Sequence, residues 1–207
     1  MEMIDSQSNI AVVVLAAGAS SRMGEPKQLL NWGQTTLLGH AINMVKSIYP
    51  QETILVLGAN FELISKEIKD KTITILNNTD WQHGLGTSIA FAVQHLQNSN
   101  SKVSGVLFVL CDQPFITGDY LKQMISKFNQ NTHQIIATAY VNGKQGVPVL
   151  FDACYFKDLT QLHDDFGAKA LLKKHESKTV VLKPPTENVD LDTKEDYTNL
   201  YQSKFKK

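Results

Sequence analysis

Ile10-Ala-Val-Val-Val-Leu15 runs straight into Ala16-Ala-Gly-Ala-Ser-Ser-Arg-Met-Gly-Glu-Pro-Lys27, and this junction decides the fold. The first six residues form an unbroken apolar run rich in valine, the pattern of a strand buried on both faces. The residues after it are small or polar and bring two serines, an arginine and a lysine to the strand's carboxyl end. Ligands of open α/β sheets bind at that end, where small residues let backbone amides approach phosphate closely. Gly18 and Gly24 stand six apart and no Gly-Lys-Ser/Thr follows, so neither the dinucleotide-binding fingerprint nor the Walker A loop is present.

Working outward, Leu37, Leu38, Ala41, Ile42, Val45 and Ile48 have helical spacing. A strand is expected at Thr53–Leu57, a helix through Phe61–Ile68, and a strand at Thr72–Leu76. A loop over Asn77–Gly86 precedes a helix containing Ile89, Ala90, Val93 and Leu96. Gly105–Leu110 is another buried strand, and Leu121–Phe128 another helix. Strand and helix alternate four times, which implies right-handed crossovers and a mostly parallel sheet covered on both faces. The last third is irregular. Strand-like Gln134–Tyr140 and Val147–Phe151 flank Asn142-Gly143, and short helices are expected over Tyr155–Leu162 and Ala168–Lys174. A strand at Thr179–Leu182, a short strand around Val189–Leu191 and a helix from Thr193 follow. The expected architecture is a single Rossmann-like α/β domain.

The 207 residues include 20 basic and 20 acidic side chains and carry no formal net charge. That balance argues against binding nucleic acid by neutralising phosphates along a duplex. No run reaches the about 20 apolar residues that span a bilayer, and Met1–Gln7 lacks the basic start and apolar run of a signal peptide. Cys111 and Cys154 have neither metal-ligand nor disulfide-scaffold spacing, so a cytoplasmic protein is expected. Arg22 is the one arginine among 19 lysines, and its planar fork of donors suits phosphate.

Two further segments carry chemistry. Leu110-Cys-Asp-Gln-Pro114 puts Asp112 at a strand's carboxyl end, where a hard carboxylate oxygen suits Mg²⁺, although Asp and Pro also build turns. Asn188-Val-Asp-Leu-Asp192 alternates, so Asp190 and Asp192 share a side of an extended segment. Asp192 or Thr193 could also cap the last helix, with Glu195 or Asp196 completing a capping box. Trp81-Gln-His-Gly-Leu-Gly-Thr-Ser88 offers Thr87 or Ser88 as another helix cap. Cys111 is expected to pack rather than react, and the six histidines show no metal spacing.

The loop resembles the L-A-A-G-x-S-x-R-M-G-x-x-K signature of the GT-A-like, MobA-related nucleotidyltransferases, closest to the molybdenum cofactor cytidylyltransferase branch. The resemblance extends over nearly the whole chain. It implies a nucleotide-binding part at about 10–130 and an acceptor-binding part at about 131–192. It assigns Ala16, Ala17 and Gly18 to the base and ribose-phosphate, Arg22 to the β- and γ-phosphates and Lys27 to the α-phosphate, with Leu15 also among the nucleotide-binding residues. Gly84 and Ser88 become base-pocket contacts, Asp112 and Asp190 the Mg²⁺ ligands, and Gly146 and Pro148 shapers of the acceptor pocket. Cys111 replaces the family's usual glycine before Asp-Gln-Pro, and Lys194 replaces proline after Asp192-Thr193. Asp164-Asp-Phe-Gly-Ala-Lys169 has Asp164 for glycine and Lys169 for arginine, which removes a bidentate grip on an acceptor phosphate.

Guanylyltransferase relatives carry Gly-Gly where this chain has Ala17-Gly18, so the resemblance favours CTP over GTP. The implied acceptor is molybdenum-bearing molybdopterin, with transient contact to a molybdoenzyme. A cytidylyl- or guanylyltransferase for another phosphorylated small molecule, and a non-catalytic cofactor carrier, are the competing readings.

Overall fold

The computed structural model describes residues 9–99, 101–141, 143–163, 167–186 and 188–206. Met1–Gln7, Asn142 and Asp164–Phe166 lie outside them.

In chain order the main elements are β1 (Ile10–Leu15), β2 (Asn31–Trp32), β3 (Thr35–Thr36), α1 (Leu37–Lys46), β4 (Glu52–Leu57), α2 (Phe61–Ser65), β5 (Ile73–Asn77), α3 (Leu85–Asn98), β6 (Gly105–Leu110) and α4 (Gly118–Ser126). They continue with β7 (Ile135–Ala139), β8 (Gln145–Asp152), α5 (Phe156–Leu159), α6 (Lys169–Lys174), β9 (Thr179–Leu182) and α7 (Lys194–Phe205). Seven strands form one sheet in the order β5-β4-β1-β6-β8-β7-β9. All pairings are parallel except those of β8, which runs antiparallel to β6 and β7 because β7 and β8 are joined as a hairpin. The fold is thus the single, mostly parallel α/β domain expected.

Alternation along β1 shows why its residues are apolar throughout. Ala11, Val13 and Leu15 enter the core layer that holds Ile89, Val93, Leu159 and Leu172, on α3, α5 and α6. Ile10, Val12 and Val14 enter the opposite layer, with Leu38, Ile64 and Leu121 from α1, α2 and α4. Thr36 and Thr117 cap α1 and α4, each accepting a backbone N–H from three residues on.

The chain builds outward from β1 to β4 and β5, then returns to place β6 on the other side of β1. The carboxyl ends of β1 and β6 therefore flank the switch point where such sheets open a crevice.

Several boundaries differ from expectation. Asn31–Trp32 and Thr35–Thr36 pair as a small antiparallel ribbon inside what reads as loop. Residues 189–191 form no strand; one backbone bond, from Leu191 N to Asp112 O at 3.0 Å, ties them down. The α3 helix starts at Leu85 behind Gly84, and Thr87 bonds back to the Gly84 carbonyl, so neither Thr87 nor Ser88 is its cap. The expected Tyr155–Leu162 helix shortens to α5. No helix among the described residues is long and apolar enough to cross a membrane.

Candidate functional site

Leu15 ends β1, and Ala16 and Ala17 continue along β4, through Ala16 N–Val56 O and Ala59 N–Ala17 O bonds of 2.9 Å each. This close approach depends on Gly58, where a Cβ would lie 2.6 Å from the Trp81 side chain and 2.9 Å from the Ala17 oxygen. Beyond Gly18 the chain turns through Ser20, at φ 56°, into a short 3-10 turn at Ser21–Met23. The Lys27 amide then donates to the Ser20 hydroxyl at 3.1 Å.

The clamp on this loop is Gln28. It is 1% exposed, and its side-chain amide donates to Ala16 O at 2.8 Å and Gly18 O at 3.0 Å. Nothing in a single sequence distinguishes this glutamine from a solvated one.

A cleft of about 360 Å³ opens at this point. Its walls include Leu15, Ala16, Ala17, Gly18, Lys27 and Gln28 from the loop, Trp81, Gly84 and Ser88 from the α3 approach, and Leu110, Cys111 and Asp112 from the end of β6. A Cβ at Gly18 would meet no atom within 4 Å, so the backbone there borders open space. Ser88 is 2% exposed and accepts from Asn78, at 2.9 Å. Its wall position is thus fixed by a second buried polar side chain, which no sequence pattern marks.

Lys27 reaches across the cleft. Its ammonium donates to Asp112 Oδ2 at 2.5 Å, to the Leu191 carbonyl at 3.0 Å and to Asp192 Oδ1 at 3.4 Å, which uses all three hydrogens. Burial works against its charge, but Asp112 above all, helped by Asp192, outweighs it and lifts the Lys27 pKa above the ordinary lysine value. The other Asp112 oxygen, Oδ1, is buried without a hydrogen-bond partner. Arg22 stays outside the cleft wall, largely exposed, and pairs with Asp192 Oδ2 at 3.0 Å.

The acidic segment divides its partners. Thr193 caps α7 in a reciprocal box with Asp196, so Asp192 is not the cap and instead meets both loop cations. Asp190 turns to the Gln113 side-chain amide, at 2.8 Å. That amide's second hydrogen goes to the Tyr140 hydroxyl at 2.8 Å, and Tyr140 donates to Val147 O at 2.6 Å. Burial raises the Asp190 pKa, and the negative charges of Asp112 and Asp192 add to it, against the opposing pull of Gln113 and Lys27.

A family model described as the MobA-like NTP transferase domain matches residues 12–179. The chain belongs to the MobA-like NTP transferase family. It is a nucleotidyltransferase domain, and ligands of open α/β sheets bind in the crevice at such a switch point.

The chain is 30% identical over 152 residues to the bifunctional protein GlmU of Buchnera aphidicola subsp. Schizaphis graminum, a match covering 70% of this chain and 31% of that protein. It spans about a third of that relative's length. The solved structure of the Mycobacterium tuberculosis rv0371c homolog from Mycobacterium sp. strain JC1 superimposes with a TM-score of 0.80 at 28% identity, over 96% of this chain and 98% of that one. A manganese complex of Rv0371c from M. tuberculosis H37Rv superimposes with a TM-score of 0.75 at 26% identity, over 94% and 99% of the two chains.

In this MobA-like transferase a second cavity, about 310 Å³, adjoins the cleft, sharing Leu85 and Leu110 with it. Tyr140, Gly146, Val147, Val149, Lys169 and Asp190 also line it. Gly146 lines this cavity and Pro148 does not. Lys144, Gln145, Lys169 and Leu172 continue into an outer hollow that adds Lys173 and Glu176. Among the described residues no group of three or more His, Cys, Asp or Glu side chains is arranged to hold a metal ion. An ion such as Mg²⁺ needs only one or two carboxylates and completes its shell with water and substrate phosphate. The unpartnered Asp112 Oδ1 is the hard-oxygen donor such an ion would use. Cys111 is 4% exposed and burial pushes its thiol far up, so it packs and does not react.

Proposed function

We propose that this chain transfers CMP from CTP to a phosphorylated acceptor, and that the acceptor is molybdenum-bearing molybdopterin, giving molybdopterin cytosine dinucleotide and pyrophosphate. One observation carries the two-substrate part of this reading. Two cavities meet at Leu85 and Leu110, with Lys27 and Asp112 on the cleft wall and Asp190 on the wall of the second. The CTP preference and the acceptor rest on the Ala-Ala-Gly form of the loop and the sequence resemblance. On this reading the nucleotide part lies at about 10–130 and the acceptor part at about 131–192.

An oxygen of the ionised acceptor phosphate attacks the α-phosphorus in line as the bond to the β-phosphate oxygen breaks. No general base is needed, and positioning with charge neutralisation does most of the catalysis. Leu15, Ala16, Ala17 and Gly18 border the base and ribose-phosphate, with Gly84 and Ser88 opposite. Lys27 exchanges its longest hydrogen bond, to Asp192, for the α-phosphate, and Arg22 turns from Asp192 to the β- and γ-phosphates. Asp112 and Asp190 would hold Mg²⁺, which neutralises phosphate charge when bound. The manganese complex of the Rv0371c structure supports a divalent ion for this fold.

The test is titration of CTP and GTP with and without Mg²⁺, followed by pyrophosphate release in the presence of molybdopterin. Mg²⁺-dependent binding selective for CTP, and release only with acceptor, is expected. Binding of neither triphosphate would overturn the reading.

A further inference from the structure

The family match ends at residue 179, yet the residue that joins both partners of the central ion pair lies beyond it. The Leu191 amide donates to the Asp112 carbonyl, and the Leu191 carbonyl accepts from the Lys27 ammonium, each at 3.0 Å. Its side chain is 0% exposed, in a cluster with Trp32, Leu37, Phe115, Tyr197, Leu200 and Tyr201. One residue thus holds the backbone of Asp112, the head group of Lys27 and a hydrophobic anchor.

The anchor is built largely by α7, although no described residue of that helix is fully buried. Trp32, 2% exposed, meets Phe115, Tyr201 and Phe205 edge-on at 6.0, 5.9 and 5.3 Å. Tyr197 donates to Asn31 O at 2.8 Å, and Lys194 pairs with Glu25 of the phosphate loop at 3.5 Å. The helix therefore touches the β2–β3 ribbon, the loop after β1 and the turn that carries Asp112 and Phe115.

We infer that Leu191 is a positioning residue for the Lys27–Asp112 pair and that α7 is the brace that holds it. This inference rests on the nucleotidyl-transfer reading for what the pair acts upon. A lysine ammonium is a point charge on a flexible stem, and its direction is set by whichever acceptors stay still. Asp192, half-buried and the most distant of the three acceptors, is the one that a triphosphate's negative charge displaces. The Leu191 carbonyl carries no net charge and is anchored from behind, so it stays and keeps Lys27 beside Asp112. Displacements of about 1 Å at such a centre cost on the order of a hundredfold in rate, which gives the brace its leverage.

The experiment compares wild type with Leu191→Ala, Leu191→Met and Tyr201→Leu. Each is titrated with CTP and Mg²⁺, and Lys27 labelling by an amine-reactive ester is followed by peptide mass spectrometry. Leu191→Ala is expected to weaken Mg·CTP binding about tenfold, to speed Lys27 labelling and to lower Tm. Leu191→Met, which refills the anchor, restores all three. Tyr201→Leu shifts binding and labelling in the same direction by less, and serves if Leu191→Ala does not fold. Lowered Tm with wild-type binding and labelling in the loosened variant would overturn the inference, leaving Leu191 a packing residue. If the wild type itself binds no Mg·CTP, the functional reading fails, and the labelling rates alone decide the positioning claim.

Discussion

Lys27 Nζ meets Asp112 Oδ2 at 2.5 Å across 85 residues of chain, and Asp192 and Leu191 complete its hydrogen bonds from the far end of the sequence. The pair is mostly shielded, with about 15% of each side chain exposed. Asp112→Asn removes the strongest offset to a buried cation and a hard carboxylate donor. Turnover should fall by at least about 100-fold. The loss of stability should stay below the about 3–5 kcal/mol of an uncompensated buried charge, because Asp192 and the Leu191 carbonyl remain. Pyrophosphate release and thermal melts check both, and near-wild-type turnover with Mg²⁺ would remove Asp112 from the site.

Asp192 pairs with both Arg22 and Lys27, the two cations proposed to take the nucleotide phosphates. Its pair with Arg22 is solvent-exposed, so Asp192→Asn should change stability by no more than about 1 kcal/mol. Arg22 then loses its pair and Lys27 only its longest hydrogen bond, and Mg·CTP should bind about two- to fivefold more tightly, since like charge no longer opposes it. A loss of affinity in the same titration would instead make Asp192 a metal or substrate ligand.

Asp190 has a folded-state pKa above its ordinary value, so its ionised form costs stability at neutral pH. That cost disappears as pH falls through the raised pKa and is absent below the ordinary carboxylate value. Asp190→Asn should accordingly raise Tm at pH 7 in the absence of metal, with the gain fading towards pH 3. Melts of both proteins in chelator across that range measure it; a lower Tm at pH 7 would contradict the burial account. The same variant should lose Mg²⁺-dependent turnover.

Gly18 borders open cleft, with no atom within 4 Å of an added Cβ. Gly18→Val should therefore leave Tm within a few degrees of wild type. It should still weaken CTP binding by about tenfold or more, because its methyls enter the space that backbone and phosphate share. Titration calorimetry beside a thermal melt separates these effects, and unchanged affinity would move the nucleotide away from this loop.

The first β-α units were legible because their signals are local. Period-two burial on both faces of Ile10–Leu15, helical spacing over Leu37–Val45, and small residues followed by Arg22 and Lys27 all lie within a few residues of one another. The switch-point cleft follows from that alternation. Val189–Leu191 reads as a strand because an alternating pattern describes an extended chain whether or not a neighbour pairs with it. Gln28 and Asn78 are not legible in the sequence because burial of an amide side chain has no signature in composition.

By itself the sequence determined the sheet, its helical cover and the loop at the end of β1, since these follow from short-range periodicity and steric size. Only the tertiary structure decided that Leu191 stands behind Lys27 and Asp112, that Asp190 and Asp192 part to different partners, and that α7 braces the cleft. Those relationships join residues some 80 to 165 positions apart. They exist because packing the aromatic cluster around Trp32 brings the chain's end back over its beginning, a long-range closure that no local pattern encodes.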